Sequence, residues 1–388
     1  MSRGAQLVAA LEGQRRPCAL VDLDAFDRNL DRLLAPLGSH TLRVASKSVR
    51  VPKLLERVLQ RPGCRGVLCT HVEEARLLAE RGLDDLLVAY PPAPEDAPAY
   101  AALTAAGTRV WAMVDAVPAV RALAEAARTA GVEVELCVDI DLSLRVGGVH
   151  IGVRRSPLRS AEQVLALAQV IADTPGVRLT AVLAYEAQVA GVQDRTGSVQ
   201  DLAMKWVKHR SRALAVERRQ AVVDGLRDAG FAIEVVNGGG TGSVDFTATD
   251  PSVTEISAGS GLFCPHLFDG YAGLALEPSA FFALAVTRSS DSGYATCFGG
   301  GYVASGSAGP DRLPRPWWPE GLSVVGIEGF GEVQTPFGAP GLSWGDTVLC
   351  RHAKAGELTE HFAEVVLIAG GSVVDVVPTY RGLGARFG

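Results

Sequence analysis

The sequence predicts a (β/α)8 barrel of the TIM type followed by a C-terminal antiparallel β domain, an α/β plus all-β chain. Three observations predict it. Eight short apolar runs rich in β-branched residues alternate with helical runs over the first 260 residues. Beyond about residue 265 the long helical patterns stop, and short strands separated by Gly, Pro and Asp turns take over. The length, 388 residues, accommodates two domains at roughly 100–200 residues each.

Barrel strands are expected at 42–46, 66–69, 86–89, 110–114, 134–139, 179–185, 233–237 and 253–256. Helices are expected near 25–37, 52–60, 71–82, 94–106, 116–130, 160–173 and 200–229. Continuous apolar strands flanked by helices signal a parallel sheet covered on both faces. Eight of them at this spacing suggest closure into a barrel of about 250 residues; an open doubly wound sheet is the competing reading. In the second part, strands are expected at 280–288, 294–298, 323–333, 346–351, 363–368 and 373–377. A strand at 18–23 precedes the barrel and is expected to pair with that part. The predicted division is therefore a barrel over 24–265 and a β domain made of 1–23 and 266–388. Segment 299–321 reads as a long loop rich in Gly, Pro and Trp. Loops of that length are usually functional or mobile. Asp311, Arg312 and the Trp317-Trp318 pair are placed to close over a substrate.

Composition narrows the function classes. Hydrophobic residues make up 48% and charged residues 21%, enough to bury a sizeable core. A net charge of −6 gives no reason to expect a nucleic-acid partner. The seven cysteines lie far apart, form no C-x-x-C and are odd in number, which fits a reducing cytoplasm better than a disulfide framework. No secretory h-region is evident near the N-terminus, and no run of 18 apolar residues would cross a membrane. Of the 37 cationic residues only five are lysines: Lys47, Lys53, Lys205, Lys208 and Lys354.

That scarcity makes Lys47 conspicuous. It follows the first expected barrel strand, and barrel active sites sit at the C-terminal ends of strands. A lysine amine in an apolar setting (Val44, Ala45, Val49) is suited to Schiff-base chemistry. Lys53, Lys205 and Lys208 sit on amphipathic helices, and Lys354 lies in the β domain. Two glycine-rich stretches follow the seventh and eighth strands: Asn237-Gly-Gly-Gly-Thr-Gly-Ser243 and Ala258-Gly-Ser-Gly261. Successive glycines let backbone N–H groups close on an anion, and barrels often bind phosphate at these two loops. Gly240, Thr241, Ser243, Gly259 and Ser260 are the candidate donors. It is not a Walker loop, since Gly-Lys-Ser/Thr is missing. Arg145 follows the fifth strand and Tyr185 ends the sixth, where an arginine and a tyrosine ring suit an aromatic cofactor. The seven histidines form no H-E-x-x-H or H-x-H pair, so metal chemistry gains little support.

Taken in order, these motifs resemble a family. Ala19-Leu-Val-Asp-Leu-Asp-Ala25, Arg43 to Lys47, the Arg145 segment, Tyr185 and the two glycine loops look like the fold-type III pyridoxal-phosphate enzymes. Within them, they are similar to the D-threonine aldolase and D-serine dehydratase branch of the alanine racemase-type barrels. His352-Ala-Lys-Ala-Gly-Glu357 looks like a subgroup labelled amino acid deaminase/aldolase. The resemblance implies that Lys47 carries pyridoxal 5'-phosphate as an internal aldimine, which an amino acid displaces to form the external one. It also implies that Arg145 approaches the phenolic oxygen, that Tyr185 lines the ring, and that the two loops hold the phosphate. The implied activity is lysis of a β-hydroxy amino acid of the D configuration, as D-threonine aldolase or D-serine deaminase. A racemase of the same fold and a non-catalytic cofactor carrier are the alternatives. A homodimer is implied as well. Two departures stand out. Ser257 occupies the position where racemases place an arginine on the pyridine nitrogen. The branch's divalent metal would need ligands where this chain has Ala355, Tyr380 and Gly382, which makes the metal doubtful; Lys354, Tyr380 or Arg381 is expected to supply charge there, and Tyr380 joins Lys47 as an expected catalytic residue.

Overall fold

In the computed structural model, which describes residues 1–290, 293–338 and 341–387, eight parallel strands close into a barrel. In order they are Thr41–Ala45, Cys64–Cys69, Leu86–Val88, Val110–Val114, Val134–Asp139, Val177–Ala184, Val235–Gly238 and Glu255–Ala258. The last pairs back onto the first, with Glu255 opposite Thr41 and Ala258 opposite Val44. Almost every residue of these strands is buried, because helices cover the outside and side chains fill the inside. Leu87, Trp111, Met113, Cys137, Ala181 and Leu183 pack the barrel interior.

The covering helices are Leu23–Leu34, Pro52–Leu59, Val72–Ala79, Ala97–Ala105, Val117–Ala130, Ala161–Ala172 and Gln200–Asp228. Local chemistry sets their ends. Asp22 caps Leu23–Leu34 by accepting from the Ala25 N–H at 3.1 Å. Ser160 and Gln163 form a reciprocal capping box at Ala161–Ala172. Gly131 takes the left-handed conformation that ends Val117–Ala130.

Nine strands form the second sheet. Cys18–Asp22 lies inside it, antiparallel to Ala280–Ser289 and parallel to Glu364–Ala369. All other pairings in this sheet are antiparallel. A helix that the apolar pattern did not announce, Arg3–Ala10, packs Leu7 beside Leu20, Phe281 and Leu349. The expected strand at 323–333 is not one strand. Only Ser323–Val324 pairs, and the main strand lies further on at Gln334–Gly338. Gly326, Gly329 and Gly331 interrupt the intervening segment. The expected loop 299–321 contains a strand, Arg315–Trp318, which among the described residues pairs with Thr347–Arg351. Its Pro316 lacks an N–H, which an edge position tolerates.

No helix among the described residues is long and apolar enough to cross a membrane. All seven cysteines are free thiols.

At the seam of the barrel, Arg43 is fully buried. Its guanidinium donates to Glu255 at 2.6 and 2.9 Å, to the Asp85 carboxylate at 2.5 Å and to the Asp85 carbonyl at 2.6 Å. Removing one partner of a buried ion pair strands the other charge, at a cost of about 3–5 kcal/mol. Arg43→Ala is therefore expected to lower the thermal unfolding midpoint by many degrees. An unchanged midpoint in differential scanning calorimetry contradicts the assignment of Arg43 as the seam's central contact.

Candidate active site

The C-terminal ends of all eight barrel strands open into one cavity of about 910 Å³. Lys47 sits in a single 3-10 turn, Ser46–Ser48, directly after the first strand. The Ser46 hydroxyl fixes that turn by donating to the Leu68 carbonyl at 2.9 Å. The Lys47 amine donates to the Tyr90 hydroxyl at 3.1 Å. Burial alone would raise Tyr90, but the charge and hydrogen bond of Lys47 outweigh it and hold the phenol below its ordinary value. Gly356, at φ +82°, presses against the Lys47 carbonyl so closely that a Cβ would overlap it. The β domain thus touches the backbone that carries the amine.

Going round the mouth, the wall is built by Thr70, Tyr90, Asp115, Asp139, Tyr185, Gly239 to Thr241, and Gly259 with Ser260. The two glycine loops meet through their hydroxyls. Ser260 Oγ lies 3.1 Å from Thr241 Oγ1, which also accepts from the Gly261 N–H at 3.0 Å. Only glycine fits at 259, where a Cβ would crowd the Ala45 carbonyl at 2.6 Å and the Ser48 Cβ at 3.1 Å. Burial, reinforced by Glu186, pushes the Tyr185 hydroxyl up to about 12, so its ring is an uncharged wall. Ser257 also lines the cavity, hydrogen-bonded to Asn237 at 2.8 Å.

Lys47, Tyr185, Gly240, Thr241, Gly259 and Ser260 therefore converge on one cavity. Three expected residues do not line it. Ser243 lies behind its loop, where its hydroxyl accepts from the Gly240 N–H at 3.1 Å. Arg145 is exposed on a small hairpin, Leu144–Val146 with Val149–Ile151. Arg155, just after that hairpin, lines the cavity instead. The signal for this displacement is Val146-Gly-Gly-Val149, a two-residue turn between β-branched residues. Tyr380 is buried under the first strand, where its N–H donates to the Arg50 carbonyl at 2.9 Å. Burial and the neighbouring Glu74 push its hydroxyl far above the ordinary tyrosine value.

The β domain roofs the cavity with Ser305, Gly306, Arg312, Lys354, Ala355 and Glu357. Lys354 donates to the Ser305 hydroxyl at 2.9 Å, and the Ser305 N–H donates to Glu357 at 2.9 Å. Arg312 comes from the segment expected to close over a substrate. Of the expected metal-ligand positions, Ala355 offers only a methyl group, Gly382 has no side chain, and the Tyr380 hydroxyl is walled off. Those residues do not fit a divalent metal. Among the described residues no group of three His, Cys, Asp or Glu side chains converges as a metal site.

Residues 21–266 match the family model described as alanine racemase, N-terminal domain. A 3-hydroxy-D-aspartate aldolase from Paracoccus denitrificans (strain Pd 1222) is 31% identical over 255 residues, 64% of this chain and 60% of that protein. A D-threonine aldolase from Arthrobacter sp is 29% identical over 249 residues, again 64% of this chain and 60% of the relative. These matches thus span about 60% of the length of the curated relatives. The crystal structure of D-threonine aldolase from Filomicrobium marinum superposes with a TM-score of 0.81 at 23% identity, covering 95% of this chain and 96% of that one.

One wall of the cavity titrates near neutrality. Asp139 is only 9% exposed. Burial, with Asp115 and Asp141 adding and Arg155 opposing, raises its carboxyl to about 7. A carboxyl whose folded pKa lies above its unfolded value of about 3.9 costs nothing below pH 4 and its full penalty above pH 7. Asp139→Asn is therefore expected to raise the melting temperature, relative to the parent, progressively from pH 5 to pH 8. A difference that stays flat over that range contradicts the raised carboxyl.

Proposed function

We propose, since the chain belongs to the alanine racemase N-terminal domain family, that it is a pyridoxal-phosphate-dependent lyase acting on a β-hydroxy amino acid of the D configuration. One observation carries the reading. A lysine amine and two hydroxyl-bearing glycine loops, on neighbouring barrel strands, face the same cavity as a tyrosine ring. That donor set fits the aldehyde, the phosphate and the aromatic ring of pyridoxal phosphate. The names of the two relatives, both aldolases of D-amino acids, support the substrate class.

When bound, the cofactor supplies an electron sink for a bond broken at the substrate's Cα. The chain's own residues do the rest. Lys47 is the amine that holds the aldehyde carbon. Gly240, Thr241, Gly259 and Ser260 hold the phosphate, and Tyr185 lines the ring. Arg155 takes the part that the resemblance gives to Arg145. The neutral Asn237–Ser257 pair lines the cavity and would offer the ring nitrogen no charge, where the resemblance places a racemase's arginine. The Lys47 amine, 3.1 Å from the Tyr90 hydroxyl, would accept a proton and share it with that phenol. Lys354 comes from the roof and is the donor we assign to the substrate's β-oxygen. A bare cofactor carrier has no use for such a roof. The same reading takes the chain as a homodimer; Val199, Leu202 and Trp206, exposed at helical spacing, are apolar surface suited to a second copy.

Purified protein is expected to release glycine and acetaldehyde from D-threonine, or pyruvate and ammonia from D-serine, and nothing from the L forms. Accumulation of the opposite enantiomer would instead select a racemase. The visible absorbance band of the loaded protein is expected to vanish in Lys47→Ala. A band that persists in that variant overturns the assignment of Lys47.

A further inference from the structure

Behind the strand-seven glycine loop lies a set of buried charges that the proposed chemistry does not use. Glu186 follows Tyr185 and is fully buried. Its Oε2 accepts from Arg219 at 2.8 Å and from the Gly239 N–H at 3.2 Å. Its Oε1 accepts from the Ser243 hydroxyl at 2.8 Å and from the Thr247 hydroxyl. Arg219, also fully buried, reaches Asp250 and the Ala184 carbonyl as well. Asp250 in turn binds the N–H and hydroxyl of Ser252 at 2.9 and 2.6 Å.

The pattern of donors is informative. A carboxylate has roughly four acceptor directions. Glu186 uses one on its counter-ion and three on the segment 239–247. Ser243, by donating its proton to Glu186, is left to accept from the Gly240 N–H. One side chain therefore sets both ends of the turn whose inner face, Gly239 to Thr241, lines the cavity. Gly239 sits at φ +82°, and a Cβ there would lie 2.7 Å from Ile256 Cγ2. A turn so rich in glycine has much freedom of its own, so its orientation depends on what its donors reach. Asp250 shares Arg219 but holds no donor of the cavity-lining turn.

We propose that Glu186 is a positioning residue that holds the Gly239–Ser243 turn in its anion-accepting shape, and so sets the preference for a phosphorylated cofactor. The inference rests on the reading of the cavity as a pyridoxal-phosphate site. Glu186 touches no ligand. It acts through Gly239, and through Ser243 on Gly240.

The test compares two probes, pyridoxal 5'-phosphate and pyridoxal, which differ only in the phosphate. Dissociation constants are read from quenching of intrinsic tryptophan fluorescence. Glu186→Gln keeps the shape but turns an NH2 group toward groups that themselves donate, while Arg219 keeps Asp250 as its counter-ion. It is expected to weaken pyridoxal phosphate at least tenfold and to leave pyridoxal within twofold. Asp250→Asn removes the other counter-ion and is expected to keep the parental ratio of the two constants. Ser243→Ala, which leaves the buried charges alone, is expected to lose about threefold for pyridoxal phosphate only; it keeps the question decidable should Glu186→Gln fail to fold. A parental protein that favours pyridoxal phosphate, with a Glu186→Gln variant that favours it equally, overturns the inference alone. So does an Asp250→Asn variant that loses the preference to the same degree, since that marks a general structural role. A parental protein without the preference overturns the cofactor reading and the inference with it.

Discussion

Arg43 and Glu255 meet across the seam where the first and eighth barrel strands close the cylinder. A parallel barrel has no edge only if this last pairing forms, and the pairing must happen in one register. A slip by one residue would turn Glu255 away from Arg43 and leave both charges buried without partners. The register that satisfies them also places Ala258 opposite Val44. Lys47 and the Gly259–Ser260 loop follow directly from those two strands, so the amine and the second glycine loop are neighbours because the charges below them are paired. The contact extends further. Asn237 donates to Glu255 at 2.7 Å and also reaches Ser257. A line of hydrogen bonds thus runs from the buried guanidinium up to the floor of the cavity.

Buried charge recurs where the strands must not move. Arg43 sits between Glu255 and Asp85, and Arg219 sits between Glu186 and Asp250. Each arginine is fully buried and each answers two carboxylates. Such arrangements are not efficient sources of stability, because desolvation consumes most of the attraction. What they provide is a single geometry. The first ties strands one, three and eight; the second ties the end of strand six to the loop after strand seven. Hydrophobic packing of Val, Leu and Ala in the same places would tolerate small shifts that an anion site would not.

Much of this was legible in the sequence. The eight barrel strands show as apolar runs because both of their faces are buried, and their shortness and β-branched content separate them from helices. Lys47 was legible because the strand-end rule leaves only one of five lysines in a suitable place. The two glycine loops were legible for the same reason. Arg145 is harder to place from sequence, because the segment after strand five contains a hairpin that moves it outward and brings Arg155 in; two glycines between valines are the available sign. Tyr90, Asp115 and Asp139 were not singled out, since an acid or a tyrosine at a strand end has no local pattern of its own. In the β domain the apolar run at 323–333 reads as a strand, but its glycines break the ladder and pairing resumes at Gln334. Edge strands such as Arg315–Trp318 carry proline and lose the usual signature.

The roof explains why Tyr380 reads as catalytic by resemblance and yet stands behind the wall. Two backbone contacts join the β domain to the first strand's turn: Gly356 against the Lys47 carbonyl, and the Tyr380 N–H on the Arg50 carbonyl. Arg50 adds a hydrogen bond to the Lys47 carbonyl at 3.0 Å and an ion pair with Glu360. Lys354 is two residues from Gly356, so the cation of the roof and the amine of the barrel are spaced by the same short stretch of chain. The strand Cys18–Asp22 anchors this arrangement from the other side, since it lies in the middle of the β sheet and leads directly into the first barrel helix. Neither part can shift without breaking a ladder. In the reaction we propose, one of these amines moves a proton while the other holds a developing negative charge, and the backbone contacts keep the two segments together. Tyr380 braces the same turn through its backbone N–H on the Arg50 carbonyl.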